Sequence, residues 1–237
     1  MSIFQTHMDD TNGLNTPIDS RPRELFIVLK KRYQSFFSDK KLVWSAVFAL
    51  ILLVTSLVIN FYAGTYANES ASNPVTDIIL SNIPVYDVDG TFIYGPLVFW
   101  LFISLILLSN PKKMPFTAKS IALFVLIRSV FITLTHIGPF PTRIEINPAS
   151  FITDFTFGAD LFFSAHTGLP FLMSLTFWDN KLLRILFFCT AVFFGIIVLI
   201  AHLHYSIDVL SAFFITYTIY NIAKIFFKKD FSAFKSD

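Results

Sequence analysis

The chain has 237 residues, of which 54% are apolar and 14% charged, and its mean hydropathy is +0.65. Soluble domains carry nearer ~25% charge, so an ordinary water-soluble fold is excluded and the bilayer is the expected solvent. The net charge of +2 argues against nucleic acid as a partner, and the single cysteine, Cys189, allows neither a disulfide framework nor a thiolate metal site.

About forty polar or mixed residues precede the first long apolar run, so no cleavable signal is expected. In this segment, residues 1–41, the stretch from Pro22 to Phe37 alternates Leu25, Phe26, Val28, Leu29, Tyr33, Phe36 and Phe37 with basic residues behind Ser20 as N-cap. That pattern fits an interfacial amphipathic helix on anionic lipid; an irregular basic linker is the alternative. His7 is read as an ordinary polar side chain.

Runs of roughly 17 to 25 apolar residues cross a ~30 Å hydrocarbon core as helices. Residues 42–227 contain six such runs and form one all-α membrane domain of six transmembrane helices. The first runs from Leu42 to about Ala63, the second from about Ile93 to Ser109, and the third from about Ala118 to Ile137. The fourth follows His166 to about Trp178 and reaches spanning length only if Leu161, Phe162 and Phe163 join it. The fifth runs from Leu182 to about Ala201 and the sixth from about Tyr205 to Phe227, so a tight turn falls between Ala201 and Ser206. Residues 228–237 read as a basic tail. The first outer loop, about Gly64 to Gly90, is punctuated by Asn, Ser, Asp and Pro, though Ile78 to Val85 could dip toward the membrane. Its Asn68-Glu69-Ser70 matches a glycosylation acceptor, a pattern that chance produces often.

Short loops rich in Lys and Arg stay in the cytoplasm. Basic residues gather before the first span, at Lys112, Lys113 and Lys119, at Lys181 and Arg184, and at the C-terminal end. The alternate connections hold Glu69, Asp77, Asp87 and Asp89, then Glu145, Asp154 and Asp160, with Arg143 as their lone basic residue. Both termini are therefore expected inside and the acidic loops outside, in a multi-pass integral membrane protein.

Ionisable groups in or beside a span are costly and mark functional sites by default. They are Arg128 in the third span, His136 near its outer end, Asp160 and His166 opening the fourth, and His202, His204 and Asp208 at the last turn. All but Arg128 fall toward the outer leaflet. His204 and Asp208, four apart at a helix start, share one face, so the carboxylate can hold one imidazole nitrogen and leave the other electron-rich, as a nucleophile or base requires. His166 and His204 open helices running in the same direction, and the paired N-termini suit a phosphate with few competing anions nearby. A metal shared by His202, His204, His166 and Asp208 fits poorly, because residues two apart on a helix diverge by about 200°. Ser164 sits badly as a nucleophile for His166 and reads better as a helix cap. His136 and His202 read as satisfied interfacial side chains, and Arg128 as the structural partner of a carboxylate, with contact to a lipid phosphate as the alternative. No metal or cofactor is called for.

The stretch Asp160-Leu161-Phe162-Phe163-Ser164-Ala165-His166-Thr167 resembles the sphingomyelin synthase motif C-G-D-x-x-x-S-G-H-T. His204-Tyr205-Ser206-Ile207-Asp208-Val209, continuing to Phe213, resembles its partner H-Y-T-x-D-V-x-x-A-Y. Pro84-Val85-Tyr86-Asp87 is similar to the family's P-L-P-D, and Arg128 through Pro141 to its second motif with a one-residue slip. The chain thus resembles the sphingomyelin synthase branch of the type-2 phosphatidic acid phosphatase superfamily, whose six-span topology agrees with the count above.

The resemblance implies that His204, oriented by Asp208, attacks the phosphorus of a glycerophospholipid while His166 protonates the leaving diacylglycerol. The head group then passes from the histidine to a lipid hydroxyl, such as that of ceramide or diacylglycerol. Asp160, Ser164, Thr167, Tyr205 and Arg128 are the expected substrate-binding residues. Gly158 and Ala159 stand where the family has Cys and Gly, and Ala165 replaces a glycine. The arginine that related phosphatases carry six before the second histidine is Val198 here, and no K-x6-R-P motif is present, which favours transfer over hydrolysis. A hydrolase using the same three residues and a non-catalytic lipid-handling protein are the alternatives. Head group, acceptor, organelle and oligomeric state are not written in the residues.

Overall fold

The structure, a computed structural model, describes residues 20–144 and 160–236, with side chains described from residue 24 onward. His7, Glu145, Asp154, Gly158 and Ala159 lie outside the described residues, as do the side chains of Ser20, Arg21 and Arg23. The described residues are all-helical: α1 Ser20–Ser38, α2 Lys40–Glu69, α3 Asp89–Ser109, α4 Met114–Leu134, α5 Ala165–Thr176, α6 Lys181–Ile200, α7 Ser206–Phe226 and α8 Lys228–Lys235, with a 3-10 turn, Pro111–Lys113, before α4.

Among the described residues, five segments are long and apolar enough to cross a membrane: α2, α3, α4 with the turn before it, α6 and α7. The expected fourth span is α5, whose 12 residues extend about 18 Å, short of the ~30 Å core. The anticipated six full spans therefore become five and one short helix. Leu161, Phe162 and Phe163 do not join α5; its first helical bond runs from the Gly168 N–H to the Ser164 carbonyl. The shortening falls at one end. At its C-terminus α5 reaches the base of α6, where Phe177 meets Phe187 and Phe234 at 5.7 and 5.3 Å between ring centroids.

Asp39 starts α2 by accepting the N–H groups of Lys41 and Leu42. Ala49, Ser56, Ala63 and Ala67 are buried along α2, and Ala63 and Ala67 cluster with Ile132 of α4. Small residues at these positions let two helices approach closely without a lipid-excluding side chain between them. The opposite side of α2 exposes Trp44, Leu50, Val54 and Leu57, a surface that suits hydrocarbon rather than water.

One end of the bundle gathers the basic connections. Arg32 and Tyr33 of α1 donate to the Ser109 and Leu108 carbonyls at the end of α3, and Lys235 of α8 pairs with Asp179. The residues expected as a basic tail form α8, folded back so that Phe231 and Phe234 pack on Phe116. Asp230 there accepts from buried Lys119 at 2.7 Å and from Ser45 at 2.5 Å, joining α8 to α4 and α2. A buried charge needs such partners.

Candidate active site

At the opposite end, loop backbone closes around the turn between α6 and α7. Ser72 N–H donates to the His136 carbonyl, Gly138 N–H to Asn73, Tyr86 N–H to Ile200 and Ile144 N–H to Ala201. His202 adopts left-handed backbone (φ 56°) in this turn, and its Nδ1 lies 2.6 Å from the Thr142 hydroxyl. Burial pushes the His202 imidazole below its ordinary value. His136 is exposed, with Nε2 3.2 Å from the Thr133 carbonyl. His136 is engaged within its own turn, whereas His202 is engaged only through Nδ1, and its buried Nε2 makes no hydrogen bond of ordinary geometry among the described residues.

His204 was expected at the start of the last helix, one turn from Asp208. It instead precedes α7, whose N-cap is Tyr205. The pair forms through the cap: the buried Asp208 Oδ2 accepts the Tyr205 N–H at 2.9 Å and lies 3.4 Å from His204 Nδ1. The carboxylate reaches back because the first N–H groups of a helix lack internal partners. This leaves Nε2 as the His204 atom available for chemistry. The irregular turn removes the geometric objection to His202 and His204 sharing an ion, but their Nδ1 atoms face different partners, Thr142 and Asp208.

His166 lies in the first turn of α5. The Ser164 N–H donates to the Asp208 carbonyl at 3.1 Å, tying the start of α5 to the start of α7. His204 and Arg128 each lie within electrostatic range of His166. The His166 ring stacks on Phe92 at 4.4 Å and meets the edge of Phe194 at 6.2 Å. Ser164 occupies the N-cap position, but its buried hydroxyl makes no capping bond, so the expected cap is one of place only.

Arg128 donates from Nε to the Phe163 carbonyl at 2.9 Å and from Nη2 to the Asp160 carboxylate at 3.1 Å. It thereby holds the strand of chain that enters α5. Arg128 lies six residues before the end of α4 at Leu134, about 9 Å along the axis, so the chain enters α5 more than a turn short of that end of α4. Arg128→Lys keeps the charge but loses the planar fork. Breaking a buried pair costs about 3–5 kcal/mol, so this variant should give less folded protein in detergent, measured by size-exclusion yield, than its residual specific activity would suggest.

Two expected substrate-binding residues face elsewhere. Tyr205 is buried; its hydroxyl donates to the Gly138 carbonyl at 2.8 Å and accepts the Val75 N–H at 3.2 Å. Burial pushes its phenol above the ordinary value. Thr167 packs where α5 crosses α6, with Oγ1 3.4 Å from the place a Cβ would take on Gly195.

The α7 N-terminus, expected to be open to phosphate, is filled. Asp77 Oδ2 accepts the Ser206 N–H at 2.7 Å, while Oδ1 accepts those of Ile79 and Leu80. Burial alone would raise the Asp77 carboxyl, but these bonds outweigh it and hold it below its ordinary value. Nothing in its sequence neighbourhood marks Asp77 off from the other acidic residues of the loop.

An apolar cleft adjoins His166. Its volume is about 230 Å³, and it is lined by His166, Ala165, Leu169 and Pro170 of α5 and by Pro96 and Trp100 of α3. A larger groove of about 650 Å³ between α3 and α6 shares its Phe99 and Phe194 walls.

No curated protein and no solved structure matches the chain. Residues 158–225, which carry α5, α6 and nearly all of α7 with His166, His204 and Asp208, are similar to the family model described as PAP2 superfamily C-terminal.

Proposed function

We propose that the protein is a membrane lipid phosphotransferase that moves a phospho-head group from a glycerophospholipid to a lipid hydroxyl such as that of ceramide. Members of the matched superfamily are generally phosphatases or phosphotransferases acting on lipids. The observation that carries the reading is the asymmetry of the two histidines. His204 has a buried carboxylate at its Nδ1, whereas His166 has aromatic neighbours and an apolar cleft.

His204 Nε2 attacks phosphorus, forming the N–P bond as the P–O bond to diacylglycerol breaks. His166 gives its proton to the departing alkoxide. The acceptor hydroxyl then attacks phosphorus, His166 takes up its proton, and the N–P bond breaks, returning His204 to its starting form. Aromatic surroundings around His166 suit a lipid leaving group, whose chains would lie in the adjoining clefts. Arg128 keeps the chain before α5 in place rather than meeting the phosphate. The basic end of the bundle faces the cytoplasm in this reading, with both termini, and the histidines face outward; α1 lies at the inner interface with Leu25 and Phe26 toward lipid.

The test is a transfer assay in proteoliposomes with phosphorus-labelled phosphatidylcholine, phosphatidylethanolamine or phosphatidylglycerol, with and without ceramide or diacylglycerol. Label moving to the added hydroxyl lipid supports transfer. Release of water-soluble phosphate or phospho-head group, unchanged by acceptor, would replace this reading with hydrolysis.

A further inference from the structure

His204 lies in neither α6 nor α7. On one side its backbone hangs from the end of α6, where Leu203 N–H donates to Val198 at 2.9 Å and His204 N–H reaches the same carbonyl at 3.4 Å. On the other side it depends on how α7 begins. Asp208 satisfies the Tyr205 N–H from within the helix, but the next N–H, that of Ser206, has an external partner in Asp77, 129 residues away.

Asp77 is suited to hold something still. It is 7% exposed, and both of its oxygens are engaged, one by its own loop and one by α7. The loop is itself anchored: the Val75 N–H reaches the Tyr205 hydroxyl, and the backbone at Ser72 and Asn73 bonds the backbone at His136 and Gly138. A surface carboxylate held only by its own turn would have left Ser206 to water. Here the negative charge and the anchored loop meet the positive end of α7 at the residue two beyond His204.

We propose that Asp77 is a positioning residue for the reacting histidine: by fixing the Ser206 N–H it sets the backbone between His204 and Asp208, and so the approach of the carboxylate to the imidazole. The role rests on the reading of His204 as the reacting group. Asp77 touches no reacting atom; it acts through the cap.

Two substitutions cut the same bond from opposite sides. In Asp77→Ser the short hydroxyl still caps its own turn at Ile79 and Leu80 but does not span to Ser206. Ser206→Pro removes the donor at the first helical position, where proline is tolerated, and Tyr205 already has the extended backbone (φ −70°, ψ 155°) that precedes proline. Each single variant should lower kcat by about 10- to 100-fold, the scale of a small misplacement of a reacting group, with KM for the lipid donor changed less than about twofold. The double variant should lose no more than the worse single, because both remove one interaction.

A second readout needs no turnover. Nitrogen-15 spectra of histidine-labelled protein in detergent should show His204, identified by its loss in His204→Ala, as the Nδ1–H tautomer in the parent and as a tautomer mixture in both variants. Multiplying kcat losses, or an unchanged His204 signal in the variants, would overturn the proposal. If Asp77→Ser does not accumulate, Ser206→Pro with full kcat and a parent-like His204 signal overturns it equally. A parent protein that turns over no lipid yet shows the tautomer change would leave Asp77 in its role and remove the catalytic reading instead.

Discussion

His204→Ala is expected to abolish lipid head-group transfer, lowering kcat by about 10⁴-fold or more, the order seen when a nucleophile or its base is removed. Among the described residues, only His204 combines a buried carboxylate at Nδ1 with a second nitrogen left available. Asp208→Asn should retain the fold, because an amide oxygen can still accept the Tyr205 N–H at 2.9 Å. It should nonetheless lose about 10²- to 10⁴-fold in rate, since a neutral amide carries no charge to stabilise the positive form of the ring. Circular dichroism and elution volume would establish folding for both variants. Wild-type rates in folded His204→Ala protein would rule out any catalytic part for this pair.

The second large effect separates the histidines by leaving group. A general acid contributes about 10²- to 10⁴-fold when the departing group is a poor one. Diacylglycerol leaves as an alkoxide and needs a proton; a nitrophenol leaves without one. His166→Ala should therefore lose single-turnover cleavage of natural phospholipid by that factor while retaining most of the single-turnover release of nitrophenol from a nitrophenyl phosphodiester carrying the same head group, a step that precedes the acceptor. His204→Ala should lose both. Equal losses of His166→Ala on the two substrates would mean that His166 binds or shapes the site rather than supplying the proton.

The membrane character and the chemistry-bearing residues were legible because each rests on a local signal. Apolar runs announce helices, and charges in such runs are costly enough to stand out, which is how Arg128, His166, His204 and Asp208 were found. The pairing of Arg128 with a carboxylate followed from the same cost, and Asp160 is that carboxylate. Geometry was less legible. His204 and Asp208 were expected on one helical face, but the helix begins after His204, and the contact arises because Asp208 caps its own helix. Four-residue spacing brings the side chains together either way, so the pattern alone could not separate a helical turn from a cap. Likewise, the shortness of α5 depends on where chain enters the bundle, and that is set by Arg128 and by the Asp208 carbonyl, neither of which is local to α5. Asp77 gave no signal because its role exists only through a contact with Ser206 across the fold. Tyr205 shows the converse. Its place in a motif suggested substrate contact, while its hydroxyl is spent on Val75 and Gly138.

The central claim is that a phosphorus–nitrogen bond forms at His204 during turnover. Rapid acid-free quenching of the protein in proteoliposomes, with phosphorus-labelled phospholipid donor and no acceptor, followed by peptide mapping, tests it directly. An alkali-stable, acid-labile label is expected on the peptide containing His204, absent in His204→Ala and discharged when ceramide or the competent hydroxyl lipid is added. Full turnover with no protein-bound label at any quench time, or label confined to the peptide containing His166, would contradict it.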